Sequence, residues 1–412
     1  MATALVTGGT GFLGSNIALR LVERHWDVRI LERPGASRVL LEGGPFEFVS
    51  GDVLEPETLP PAMQGVDVVF HASGVVDYWN QGVERMYQVN VQGTRNVMEA
   101  CLKAGIDRVV HLSSTAAMGI HPDVIVDETF TFNVKPERFV YGHSKHLAEE
   151  VVYDFIRQGL PVVLVNPTTV IGPRDIRKVS SGMVVEVVKH CVPLLIPPGG
   201  INIVPICDVA QGTIEAALKG RVGERYILGG ENMSHLQIYQ TIANVVGCGM
   251  KLKSMPRWQV SIIAALTDML QPQTNGPVPL TGARLRLEAQ FFYYETTKAR
   301  SMFNMPQTPL RVTIGRTYEW YESMGEFEGV YEKEFLSESK SIPLVQQIKL
   351  RNINEKIGFY NVCFNHLLNE FQNLFEMVLL GGKQVTAKDI RDKMAEDGFL
   401  TNEIKFVTEF FD

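Results

Sequence analysis

The chain has 412 residues, a mass of 46.0 kDa and a net charge of −7. With 45% hydrophobic residues it has apolar surface enough for a large core, which excludes a disordered chain. The acidic balance supplies no field to hold nucleic acid, and no apolar run reaches the ~18 residues that a membrane span needs. Thr3–Thr7 reads as a short apolar strand, followed by a glycine-rich turn and an amphipathic helix through about Arg24. Val28–Leu31 and Phe46–Ser50 are the next strands. Val66–Ala72 and Arg108–Ser113 are continuous apolar runs flanked by helical patterns, and Val162–Asn166 follows a helix that starts near Tyr141. Such runs, separated by helices, predict an α/β fold with a doubly wound, Rossmann-type parallel sheet buried on both faces.

Beyond residue 170 the pattern loosens, with proline-rich turns at Pro193–Pro198 and Pro272–Pro279. The expected organisation is a dinucleotide-binding core over 1–170, a smaller substrate-binding region over 171–325 interleaved with it, and an appended helical segment over 326–412. Composition sets that last segment apart: it holds one of the 21 prolines, Pro343, and a net charge of −5 against −2 for the rest. Its apolar residues recur at helical spacing from Leu344 to Leu379. It reads as a module that packs on the body or a second subunit, or that docks a protein partner. The five cysteines are far apart with no CxxC pair, so a reduced, cytoplasmic protein is expected. The N-terminal MATALVTGG reads as a strand and lacks a secretory signal's features.

Residues 7–14 read TGGTGFLG. Gly8, Gly11 and Gly14, with Gly9, supply the tight turn, close backbone approach and close helix–strand packing that a pyrophosphate site needs. The helix that follows offers its N-terminal amides and positive dipole end to the anion. Glu32 closes the second strand, where a carboxylate binds the ribose 2′-hydroxyl of NAD. Arg33 follows it and would instead pair a 2′-phosphate. NAD is favoured over NADP because Glu32 repels that phosphate. Asp52, after the third strand, is a candidate for the adenine amino group.

Residues 141–145 read YGHSK. On a helix Tyr141 and Lys145 share a face, and an ammonium near a phenol favours the phenolate. Such a tyrosine passes a proton to or from a substrate oxygen. Tyr294 and Lys298 repeat the spacing, outside the sheet-forming half, and are read as structural. A hydroxyl from Ser113-Ser114-Thr115 would polarise the same oxygen. His71 and His111, in buried strands, are expected to be satisfied core residues. His143 and His146 share the Tyr141 helix, but no third ligand is evident and no metal is expected. Arg174 and Asp175 stand where the substrate-binding region begins, and His143 beside Tyr141; each is a candidate substrate contact.

TGGTGFLG, GDV at 51–53, HASG at 71–74, SSTAAMG at 113–119, YGHSK and NPTTVIGP at 166–173 together resemble the extended short-chain dehydrogenases/reductases. The resemblance covers about residues 3–325 and is nearest to dihydroflavonol-reductase-like proteins and hopanoid-associated sugar epimerases. It implies Ser114 as the catalytic hydroxyl, with Thr115 the alternative. It makes Tyr141 the proton donor or acceptor and Lys145 a ligand of the nicotinamide ribose, and it places Asn90 near the active site or else at a helix kink. It extends the cofactor-binding set to Phe12, Leu13, Val53, Ala72, Ser73, Gly74, Asn166, Pro167 and Thr169. It reads Asp208 as tying down structure, and it implies a homodimer. The implied activity is hydride transfer between nicotinamide and a ketone or secondary alcohol on a small, fairly apolar molecule. The alternatives are a nucleotide-sugar 4-epimerase or dehydratase with tightly held NAD, and a non-catalytic dinucleotide-binding regulator.

Overall fold

Runs of Val, Ile and Leu with no polar face need cover on both sides, and the fold provides it. The structure is a computed structural model that describes residues 2–76, 82–190, 195–248, 252–270 and 282–327. The helical segment expected after Phe327 and the turn expected at Pro272–Pro279 lie outside these residues. The strands are β1 (Thr3–Thr7), β2 (Asp27–Glu32), β3 (Phe46–Ser50), β4 (Val68–His71), β5 (Arg108–Leu112), β6 (Val124–Val126) and β7 (Val162–Pro167). They continue with β8 (Thr169–Ile171), β9 (Leu195–Ile196), β10 (Gly200–Pro205), β11 (Arg225–Leu228), β12 (Glu231–Ser234), β13 (Lys253–Ser254) and β14 (Phe291–Tyr294). The first helices are α1 (Phe12–Glu23), α2 (Leu59–Met63), α3 (Val83–Tyr87), α4 (Thr94–Ala104), α5 (Val140–Arg157), α6 (Gly182–His190) and α7 (Ile206–Lys219).

Seven strands form one parallel sheet in the order β11-β7-β5-β4-β1-β2-β3. Alternate residues along each strand enter opposite cores. Ala4 and Val6 pack with Ile17 and Leu21 of α1 and Val209 and Ile214 of α7. Leu5, Val69 and Val109 pack with Val97 and Cys101 of α4 and Val151 and Phe155 of α5. The order reverses between β1 and β4, so the crevice beyond the strand ends opens there, where such sheets bind ligands.

The chain divides into two compact units. Among the described residues one comprises 2–76, 82–190, 201–233 and 291–327, the other 195–200, 234–248, 252–270 and 282–290. The large sheet takes its edge strand, β11, from beyond residue 170. A second sheet, β12-β10-β14-β6 with β8 beside β10, carries Tyr294 at the end of β14. In the other unit β9 pairs with β13, and the helices Arg257–Leu270 and Gly282–Glu288 pack through Val260, Ala264 and Leu285.

Candidate active site

The glycine loop is built as its spacing requires. Gly8 has φ +68°, and a Cβ on it would lie 2.7 Å from the carbonyl oxygen of Ala72. A Cβ on Gly14 would overlap the Gly8 carbonyl. The Gly11 amide donates to Gly8 O at 2.9 Å and closes the turn. Helix α1 then starts at Phe12 with no side-chain cap and no acidic residue in its first turn. Its N-terminal amides and dipole are left to an anion, so the loop fits a dinucleotide pyrophosphate.

Glu32 ends β2 with its side chain only 11% exposed, and it pairs with a guanidinium. That guanidinium belongs to Arg38, whose Nε donates to Oε2 at 2.9 Å while its Cζ lies 4.0 Å over the Phe48 ring. Arg33, expected to compete at this point, is exposed. The loop after β2 curls back, so the residue six positions on, not the next one, meets the carboxylate. Asp52 accepts from the Leu54 amide at 2.9 Å and lies 3.9 Å from Arg85. Val53 has its side chain in the core, and its carbonyl accepts from Asn96 at 2.8 Å. Ala72 and Ser73 continue from β4, their amides donating to Thr7 O and Oγ1 at 3.1 and 3.3 Å. Gly74 is exposed, and a Cβ on it would come within 3.9 Å of Lys145 Nζ.

Helix α5 presents Tyr141, Lys145 and Glu149 at i, i+4 and i+8, all buried. The Tyr141 phenol is hydrogen-bonded with the Ser114 hydroxyl, whose oxygen accepts from the Ala116 amide at 3.1 Å. Burial raises Tyr141 above the usual phenol range, and the Ser114 bond offsets part of that rise. Lys145 Nζ donates to Leu112 O at 2.8 Å. Burial pulls this amine down to about 8, against the attraction of Glu149. The structure thus gathers Ser114, Tyr141, Lys145 and Gly74 at the strand ends beside the crevice.

Other expected residues have different employment. Asn90 lies in a π-helical turn, Gln88–Gly93, that joins α3 to α4. Its amide and carbonyl bind the Val75 backbone at 3.0 and 2.8 Å, and its amide reaches Ser144 Oγ at 2.9 Å. These bonds match the helix-kink, backbone-bonding reading of Asn90. Asn166 is fully buried, and its amide donates to Ser114 O at 3.0 Å and to Glu149 Oε1 at 2.6 Å. Its side chain therefore positions Ser114. Pro167 O accepts from Thr115 at 3.4 Å, and Thr169 opens β8, partly exposed.

Thr115, the alternative hydroxyl, also bonds Tyr294. Lys298 does not join Tyr294: it pairs with Glu224 at 2.6 Å and donates to Arg225 O at 2.7 Å. The second Tyr–Lys match is not a dyad, but its tyrosine lands one residue from Ser114, which spacing alone did not reveal. Asp175 is 1% exposed and accepts from the Val179, Ser180 and Ser181 amides, so it shapes its own loop. His143 bonds the Tyr87 hydroxyl at 2.8 Å. Asp208 ties down Thr308 through its amide at 2.9 Å and its hydroxyl at 2.6 Å. His71 is satisfied, at 2.8 Å from Thr7 Oγ1 and 3.0 Å from Thr94 Oγ1. His111 corrects the expectation of a satisfied residue, because among the described residues both its buried nitrogens lack a partner.

Among the described residues no group of three or more His, Cys, Asp or Glu could hold a metal, and no helix is long and apolar enough to cross a membrane. Residues 4–229 match the model of the NAD dependent epimerase/dehydratase family. A putative dihydroflavonol 4-reductase of Synechocystis is 33% identical over 328 residues, spanning 78% of this chain and 94% of that protein. The 3 beta-hydroxysteroid dehydrogenase type 7 of Mus musculus is 34% identical over 360 residues, 78% of this chain and 95% of that one. The crystal structure of gox2253 superposes with a TM-score of 0.70 at 32% identity, covering 79% of this chain and 99% of its own.

Proposed function

This chain belongs to the NAD dependent epimerase/dehydratase family, in the extended short-chain dehydrogenase/reductase superfamily, and we propose that it interconverts a secondary alcohol and a ketone on a small, fairly apolar molecule. The observation that carries this reading is the hydrogen bond between Tyr141 and Ser114, with Lys145 one turn along α5. The names of the reductase and hydroxysteroid dehydrogenase relatives favour an alcohol or ketone of low polarity as substrate.

NAD(H) fits the residues present: the glycine loop and α1 amides for the pyrophosphate, Glu32 for the ribose hydroxyls, Asp52 for the adenine, and Lys145 beside Gly74 for the second ribose. When bound, the nicotinamide supplies or takes up the hydride. The protein's own task is the proton and the oxygen. Ser114 donates a hydrogen bond to the substrate oxygen and orients it. Tyr141, which burial holds in its protonated form, gives its proton to that oxygen as a ketone is reduced. In the reverse direction the same oxygen returns a proton to Tyr141. Lys145 fixes the ribose and, as an ammonium, stabilises the phenolate left behind.

The test is to denature the purified protein, identify released nucleotide by mass spectrometry, and assay NAD(H) turnover with 3-keto- and 3-hydroxysteroids beside UDP-sugars. Steroid turnover with exchangeable nucleotide supports the reading. Epimerisation of a UDP-sugar with retained NAD would replace it.

A further inference from the structure

Four residues beyond Lys145 on the same face of α5, the carboxylate of Glu149 is buried, its side chain 2% exposed. Three donors converge on it from three strand ends. Ser113 Oγ donates from the end of β5, Asn166 Nδ2 from β7 at 2.6 Å, and Arg225 NH1 from β11 at 3.2 Å. A carboxylate held this firmly cannot swing away, so its charge has a fixed place one turn from the Lys145 ammonium. We propose that Glu149 is a positioning residue of this site, whose fixed carboxylate keeps Lys145 in the ammonium form inside the sheet. Its bearing on turnover rests on the reading of Tyr141, Ser114 and Lys145 above; its electrostatic effect does not.

The other groups around Lys145 do not supply that charge. Tyr141, one turn back on α5, is a protonated phenol. His71 on β4 and His111 on β5 face Lys145 and are kept neutral by burial. Leu112 O gives a dipole and no charge. Around Glu149 stand Arg225 on β11 and the phenol of Tyr153, which burial and the nearby carboxylates keep protonated. Burial alone drives a lysine toward the neutral amine, and Glu149 opposes it. A neutral Lys145 would lose both its ribose-holding charge and its influence on the phenolate.

The experiment is an NMR titration of the full-length chain with 13C-labelled lysine, Lys145 being assigned by the signal lost in Lys145→Met. In the wild type it is expected to titrate near 8. In Glu149→Gln its midpoint should fall by about one pH unit or more, a tenfold change in its protonation constant. In Glu149→Asp, which keeps the charge, it should stay near the wild-type value. Should Glu149→Gln fail to fold with Arg225 unbalanced, Glu149→Gln/Arg225→Gln removes both charges and should show the same downward shift. A Lys145 midpoint unmoved in folded Glu149→Gln or in the double variant overturns the proposal. NADH affinity, followed by fluorescence across the same pH range, reports on the nucleotide role separately. A shifted midpoint with affinity indifferent to Lys145→Met would uphold the electrostatic role of Glu149 and remove Lys145 from the nucleotide site.

Discussion

His71 and His111 face each other across the neighbouring strands β4 and β5, ring centroids 5.4 Å apart, yet only His71 has hydrogen-bond partners among the described residues. Both are buried at the strand ends below Lys145, and both stay neutral because burial disfavours the imidazolium. Burial lowers His71 to about 3 from its ordinary 6.5. Between those values the unfolded chain takes up a proton that the folded chain refuses, so stability falls as pH drops from about 6.5 towards 3. His71 alone should cost about 2 kcal/mol by pH 5. His111→Leu removes two unpartnered nitrogens. It should stabilise the protein at pH 7 by about 1 kcal/mol and flatten its acid-side loss. Urea denaturation at pH 7 and pH 5 checks both statements; an unchanged pH slope would show that other groups govern the acid limb.

Arg38 on Glu32 gives the second prediction. The carboxylate should favour NADH, and the guanidinium offsets part of its repulsion of a 2′-phosphate. Glu32→Ala should therefore move the NADPH-to-NADH affinity ratio upward, and Arg38→Ala should move it downward, each by about tenfold, or ~1.4 kcal/mol. Arg33→Ala should change the ratio little. Fluorescence titration of the three variants decides it: an Arg33 effect larger than the Arg38 effect would restore Arg33 as the phosphate-reading residue.

The third concerns the loop. Gly14→Ala places a methyl against the Gly8 carbonyl, which is backbone and has nowhere to move. The turn must open, at a cost of about 1–3 kcal/mol in stability. The amides of α1 lose their aim, so added NAD should no longer raise the melting temperature. A thermal melt with and without nucleotide measures both effects, and a wild-type nucleotide shift in this variant would show that the pyrophosphate sits elsewhere.

The centre of the sheet was legible in the sequence because β1, β4, β5 and β7 are buried on both faces and read as unbroken apolar runs; each falls within two residues of its expected ends. The glycine loop was legible because backbone demands select residue type directly. The Tyr141–Lys145 pair was legible because four residues of helix suffice to bring them together. What escaped depends on long-range closure. Arg38 reaches Glu32 only because of how a loop turns. Glu149 gathers donors at positions 113, 166 and 225, which are neighbours only once β5, β7 and β11 stand side by side. Tyr294 reaches Thr115 from a different sheet, a contact that no local spacing encodes. The bonds of Asn90 to the Val75 backbone are likewise a closure that no local spacing encodes.

Tyrosine variants give the sharpest test of the chemistry, and the Tyr294–Thr115 bond changes how they must be compared. Tyr141→Phe keeps the ring and its packing but removes the proton shared with Ser114, so turnover should fall by a factor of about 10² or more with NADH affinity nearly unchanged. Tyr294→Phe is not an inert comparison. It removes one partner of the Thr115 hydroxyl, one residue from Ser114, and a loss of roughly tenfold or less is expected, since it disturbs the segment without removing the transferable proton. The comparison away from Ser114 and Thr115 is Tyr318→Phe, whose hydroxyl donates to the exposed Glu322 at 3.1 Å. The three are to be measured at saturating NADH with whichever ketone the substrate screen identifies. Tyr318→Phe at the wild-type rate, Tyr294→Phe below it and Tyr141→Phe far below both is the order expected. If Tyr294→Phe lost as much as Tyr141→Phe, the proton would have to be shared between the Tyr141 and Tyr294 phenols. If Tyr141→Phe kept its turnover, the acid role would leave α5 altogether.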